Sequence, residues 1–288
     1  MVFQTIALST AFIGSSIAAL WDLKTTEIPD QIPHIMVIIA LVVYGVQSYA
    51  EFNYWILLTS IISGLLLLGF GFLMYFSSQW GGGDAKLLSA IGFLLPTAPS
   101  GFANLFFPFP ASFLFNLFLV GAGYMIVYAL ILALMNKKII ERFASDMKSS
   151  SKIFVFGSAT LFVVFTLLSL LVANAFSIQA STKFLLDNSV LLLGATIFIF
   201  IIWKFAKAVE DVGFRKKIHI SKLRVGDVLL ESKLWEGITV KELRAVKKSG
   251  KRVVWIKEGV RFAPAFPLAL IFTLYVGEGI FLFLNFVL

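Results

Sequence analysis

The sequence predicts an α-helical polytopic membrane protein of about eight transmembrane helices, one of them short, with a small cytosolic α+β module inserted before the last helix. Three observations carry this reading. The 288 residues are 59% hydrophobic and 14% charged, with mean hydropathy +0.93, whereas soluble domains are about 45–50% apolar with about a quarter charged. The apolar residues gather into runs of roughly the 17–25 residues that cross a hydrocarbon core. Every Lys and Arg except Lys183 falls on one side of the membrane if each run crosses once.

The runs, bounded by polar or Pro/Gly clusters, lie at 2–21, 34–50, 55–76, 85–96, 110–135, 153–175, 188–206 and 264–287. The run at 85–96 is short enough to be re-entrant or tilted. Nothing basic precedes the first run, since the first Lys is Lys24, so it reads as a retained span and not a cleaved signal peptide. The pieces 22–33, 77–86, 136–152 and 204–262 hold the basic residues. The positive-inside rule places them in the cytoplasm and both chain ends outside the cell membrane.

The chain then divides into a membrane core at 1–135, a basic loop with an extra hairpin at 136–206, a small basic module at 207–262 and a final helix at 263–288. In the module, Ile218 to Val225 alternates like a strand, Gly226-Asp227 is a turn signal and Val253 to Ile256 reads as a second strand. Thr239-Val240-Lys241-Glu242 is a capping box opening a short helix that Ser249-Gly250 ends. A basic surface of this kind suits anionic lipid headgroups. No RNA or DNA motif accompanies the charge, so nucleic acid is not an expected partner. The absence of cysteine excludes disulfides, thiolate metal sites and cysteine nucleophiles, and two histidines are too few for a His-based metal cluster. No metal or other cofactor is expected, and the oligomeric state stays open.

Acidic residues at the ends of membrane spans are the first place to look for chemistry. Asp22 follows the first span in Trp21-Asp22-Leu23-Lys24, and Asp84 stands in Gly81-Gly82-Gly83-Asp84-Ala85-Lys86. Two spans separate them, so both carboxylates reach the same face, the geometric minimum for a carboxylate pair. Each also has a plain reading. Asp22 marks where the first helix leaves the membrane, and Asp84 is placed as an N-cap of the next helix. Three successive glycines cost backbone entropy on ordering. They make sense where a backbone bends sharply or approaches another chain, as at a site holding an extended peptide.

Together these motifs resemble the GxGD membrane aspartyl peptidases, and within them the type IV prepilin peptidases, most closely their archaeal preflagellin (prearchaellin) branch. The family pattern has an Asp ending the first helix with Ile-Pro-Asn/Asp a few residues on, here Asp22 and Ile28-Pro29-Asp30. It also has Gly-x-Gly-Asp followed by Lys at the cytoplasmic start of the fourth helix, here Gly81 to Lys86. The match is local at 21–34 and 78–96, and looser over the helix after Phe107-Pro108-Phe109-Pro110 and the last span from Ala263-Pro264-Ala265. Bacterial members carry a cysteine-rich zinc domain and also methylate the new N-terminus. A chain without cysteine cannot hold that domain, so the resemblance implies an archaeal-type enzyme with peptidase activity alone. Presenilin-type relatives pair the motif with Tyr-Asp, where this chain has Trp21 before Asp22.

The resemblance implies Asp22 and Asp84 as the catalytic pair, acting through water at the cytoplasmic face, on pilin or archaellin precursors with a short basic leader ahead of a hydrophobic helix. Gly81, Gly82 and Gly83 form the site loop. Glu27 and Asp30 lie close enough in sequence to Asp22 to attract leader Lys or Arg; the alternative is that they are solvated, with Asp30 capping the second helix. Lys24 and Lys86 either lower nearby carboxylates or snorkel to headgroups, the latter being preferred. Glu278 is an intramembrane acid expected far from the pair. An ion-coupled transporter or a non-catalytic pilus-assembly protein are the rival classes. A transporter more often keeps its acids near the bilayer midplane.

Overall fold

The computed structural model describes residues 2–102, 105–176, 181–230, 237–249, 252–257 and 259–279. The protein is a polytopic helical membrane protein. Helices α1 (Val2–Thr25), α2 (Gln31–Ala50) and α3 (Trp55–Phe76) are joined by short loops, then α4 (Gly82–Leu94), α5 (Phe109–Met135), α6 (Lys137–Ser149), α7 (Ser151–Ala175) and α8 (Thr182–Gly213) follow. Strands β1 (Arg215–His219) and β2 (Val228–Leu229), helix α9 (Val240–Lys248), strand β3 (Val253–Lys257) and helix α10 (Ala265–Val276) complete the described chain. Among the described residues six helices, α1, α2, α3, α5, α7 and α8, are long and apolar enough to cross a membrane. Two compact units emerge: residues 1–128 with 217–288, and residues 129–216.

The core of the first unit is α4. Ala85 and Leu87 through Leu95 are all buried, packed among α1, α2 and α3. The inward face of α3 runs Ser60, Gly64, Leu67 and Gly71, a helical stripe of mostly small residues. Small residues let membrane helices approach closely. A methyl added at Gly71 would lie 2.8 Å from Ala85 Cα. At 13 residues, α4 rises only about 20 Å, too little to cross the membrane. The expected short span is therefore a half-length helix that stops at Leu94. Its last carbonyls are satisfied by side chains from its neighbours: Ser60 donates to Phe93 O at 2.6 Å and Tyr44 to Leu94 O at 2.6 Å. Irregular backbone survives at such depth only when its polar groups find partners within the protein.

The final span is described only as α10 through Gly279, and the rest of the expected 264–287 run lies outside the described residues. In the polar module the sheet order is β1-β3-β2, with Val228 opposite Lys257 in the antiparallel β2–β3 pair. The expected Ile218–Val225 strand ends early, at His219. The chain turns there into a short 3₁₀ segment at Ile220–Lys222, capped by the His219 ring, whose Nδ1 is 2.8 Å from Ser221 Oγ. The Asp227 carboxylate then takes the Arg224 N–H at 2.7 Å, so local side-chain bonds replace the ladder. The capping box forms as read: Thr239 N–H donates to Glu242 Oε2 at 2.7 Å and Glu242 N–H to Thr239 Oγ1 at 3.3 Å. The Thr239 N–H, together with the Thr239 hydroxyl that donates to Glu242 Oε2 at 2.9 Å, holds the Glu242 carboxyl below its usual range.

In the second unit, the stretch read as a basic loop is the amphipathic helix α6. Its Ile139 and Phe143 pack on Phe205, Ala208 and Val209 of α8. That contact carries α8 on through Gly213, past the expected end of the span at 206. Arg142 bridges Asp146 at 3.3 Å and Asp211 at 3.4 Å on the polar side.

Candidate functional site

The buried face of α1 runs Ala7, Ala11, Gly14, Ala18 and then Asp22. Helical spacing thus puts the carboxylate on the inward stripe of its last turn, and only 4% of Asp22 is exposed. The helix continues to Thr25, so Asp22 lies inside it and does not merely mark its exit. Its Oδ2 accepts the Ala263 N–H at 3.0 Å. Ala263 stands just before α10, 241 residues away in sequence.

Asp84 sits in the first turn of α4. The helix opens at Gly82 with Gly81 at its N-cap position, so Asp84 is not the N-cap residue; its Oδ2 reaches back to accept the Gly81 N–H at 3.1 Å. Asp22 and Asp84 line one cavity of about 700 Å³, shared with Glu27, Trp80 and Phe262. Burial, and then the charge of Asp22, push the Asp84 carboxyl above its ordinary value, against the Gly81 bond that lowers it. Two carboxyls in one site behave this way because both cannot ionise cheaply.

The three glycines do not bend the backbone into a conformation reserved for glycine, since none has positive φ. Gly83 instead permits a close approach within the chain. A methyl there would lie 2.8 Å from Ile28 Cβ, in the loop that follows α1. The glycine therefore brings the starts of two site segments together.

The remaining expected residues separate. Lys86 Nζ pairs with Asp30 Oδ1 at 2.7 Å, so Lys86 does not snorkel and Asp30 does not cap α2, whose N-cap position makes no side-chain bond. Neither lines the cavity, whereas Glu27 does. Glu278 also lies away from the cavity. Its Oε1 accepts the Phe107 N–H at 2.8 Å and the Ser112 hydroxyl at 2.9 Å, a buried arrangement that ties α10 to the start of α5. Among the described residues no group of His, Asp and Glu is set to hold a metal ion.

Sequence reasoning missed the wall built by residues 259–263 and α5. The Phe262 ring lies tilted against Trp80 with centroids 5.7 Å apart. Arg261 donates to the Tyr128 hydroxyl at 2.7 Å, while Tyr124 donates to the Arg261 carbonyl at 2.8 Å. The available signals were the Tyr124/Tyr128 spacing of four on one helix and the Ala263-Pro264 start of the last span.

Residues 9–134 match the model of the type IV leader peptidase family. Over 138 residues the chain is 25% identical to the prepilin peptidase EppA of Methanothermobacter thermautotrophicus, covering 44% of this chain and 36% of that protein. Over 84 residues it is 36% identical to the preflagellin peptidase of Methanocaldococcus jannaschii, covering 29% and 36%. The chain thus spans about a third of the length of these curated relatives. Residues 9–134, the stretch that carries both cavity-lining aspartates, are thus the part of the chain that is similar to the type IV leader peptidase family.

Proposed function

We propose that the protein is an aspartyl endopeptidase that removes short basic leaders from pilin or archaellin precursors at the cytoplasmic face of the cell membrane. One observation carries this reading: Asp22 and Asp84, from helices far apart in sequence, line a single cavity inside the family-matched stretch. The names of the two relatives supply the substrate class.

The chemistry follows from the pair. One carboxyl is ionised and the other protonated. The ionised one takes a proton from water, and the resulting hydroxide attacks the scissile carbonyl carbon as the protonated one gives its proton to the carbonyl oxygen. The tetrahedral diol then collapses. The C–N bond breaks, the nitrogen takes the proton held by the first carboxyl, and a diol proton returns to the second. The balance is one water consumed, one acid and one amine formed, with no metal or other cofactor required. Glu27 adds a third carboxylate to the cavity and suits a Lys- or Arg-bearing leader. Asp30 and Lys86 neutralise one another and contribute less to that recognition. The basic helix α6 and the polar module belong on the cytoplasmic side, against lipid headgroups.

Purified protein in detergent, mixed with a basic-leader precursor and followed on a gel, tests the assignment. Asp22→Asn and Asp84→Asn each lose about 10²–10⁴-fold in rate, the range expected for an acid–base group. Helicity stays unchanged, because Asn keeps an oxygen to accept the Ala263 or Gly81 N–H. Substantial turnover by either variant would overturn the pair.

A further inference from the structure

Three residues from the far end of the chain help to wall the cavity that the two aspartates line. Gly259, Val260 and Phe262 line it, and the Ala263 N–H holds Asp22 Oδ2 at 3.0 Å. Such a segment needs an anchor, since a loop ahead of a helix has no ladder of its own. Arg261 supplies it, gripped twice by α5. Its carbonyl accepts from Tyr124 at 2.8 Å and its guanidinium donates to Tyr128 at 2.7 Å. Tyr124 and Tyr128 stand one turn apart with stacked rings, centroids 6.0 Å apart, so the two grips form one clasp.

The clasp also makes the cavity electrically uneven. The titratable and charged groups around Asp22 are Lys24 on its own helix, Glu27 in the following loop, Tyr75 of α3, Asp84 of α4, Tyr124 of α5 and Arg261. Lys24 is exposed, whereas Arg261 stands two residues before Ala263, whose N–H holds Asp22 Oδ2 at 3.0 Å, and its charge acts on that carboxylate after burial and the Ala263 bond. The groups that bear on Asp84 are the Asp22 carboxylate and the Gly81 N–H. A cation beside one member of a carboxylate pair decides which member keeps the charge.

We propose that Arg261, clasped by Tyr124 and Tyr128, is a positioning residue that seats the 259–263 segment on the last turn of α1 and fixes Asp22 as the ionised, water-activating member of the pair, leaving Asp84 as the proton donor. The inference rests on the peptidase reading above. A merely structural clasp would change stability and leave the pH dependence alone.

The test is kcat and kcat/KM for a basic-leader precursor across pH, with thermal unfolding measured in parallel on the same detergent-purified protein. Arg261→Met moves the acid limb of the kcat profile to higher pH by about 1, because a base that has lost its neighbouring cation binds its proton more tightly. Arg261→Lys returns the limb toward its wild-type position. Tyr128→Phe keeps both charges but releases the guanidinium from its grip, so it lowers kcat several-fold and moves the limb less than Arg261→Met does. Arg261→Gln, which still offers an amide to Tyr128, reads the same charge effect if the Met variant does not fold. An acid limb unmoved in the folded Met or Gln variant overturns the proposal. Asp22→Asn and Asp84→Asn, run alongside, separate the two failures. If either cleaves, the peptidase pair is wrong; if both are inactive and the limb is unmoved, the clasp alone is wrong.

Discussion

Alanine at Gly83 and at Gly82 should have opposite consequences, although the glycines are adjacent and both lie in the first turn of α4. Glycine-to-alanine in a helix gains up to about 1 kcal/mol from propensity, and this gain applies to both. A methyl at Gly82 meets only the Tyr75 ring, at 3.8 Å, an ordinary contact. A methyl at Gly83 would lie 2.8 Å from Ile28 Cβ, where carbon atoms pack best at about 3.5–4.0 Å. The helix start or the loop after α1 must retreat by about 1 Å. Overpacking of this size costs about 1–3 kcal/mol, so Gly83→Ala is destabilised by up to about 2 kcal/mol after the propensity gain. The retreat also moves Asp84 relative to Asp22. Misplacement by about 1 Å lowers rates by about 10²-fold. The assay is cleavage of a basic-leader precursor together with detergent-solubilised thermal unfolding. Gly82→Ala should unfold no earlier than wild type and cleave within a few-fold of it. Gly83→Ala should lose on both counts, with partial recovery when Ile28→Gly is added. Full activity in Gly83→Ala would refute the packing argument. A stable but inactive Gly82→Ala would also refute it, and would return the glycines to the role of making room for an extended substrate.

Two further outcomes follow from the pairings. Glu27→Gln should weaken processing of a basic-leader precursor several-fold at low salt, an effect that shrinks at high salt where exposed charges are screened. Asp30→Asn should change processing little, because its carboxylate is already engaged by Lys86 and an exposed pair contributes only about 0.2–1 kcal/mol. Equal losses from the two variants would show that Asp30 reads the leader too. Tyr44→Phe removes the hydroxyl that satisfies Leu94 O at the buried end of α4, and stranding such an acceptor costs about 1–3 kcal/mol. Its thermal unfolding should come earlier than wild type while the pH dependence of cleavage is unchanged.

Hydropathy made six of the expected spans legible among the described residues, because the length of an apolar run is a local property of the chain. The meeting of the two acids was also legible in outline: Asp22 and Asp84 stand in short motifs, two spans apart, and they line one cavity. The Thr239–Glu242 box formed as read because its partners are three residues apart. The helical character of residues 137–149 was obscured by charge, since Ile139 and Phe143 declare a face only once α8 is there to cover it. The pairing of Lys86 with Asp30 joins residues 56 apart, and it turned a presumed snorkel and a presumed cap into one ion pair. The Ala263 N–H on Asp22 and the Arg261 clasp were invisible for the same reason. A backbone amide carries no sequence signature, and the value of one arginine among 24 basic residues depends on which carboxylate the fold brings within reach of its charge. Composition and spacing determine where the acids lie along the chain; only packing decides which groups surround each acid and hold it in place.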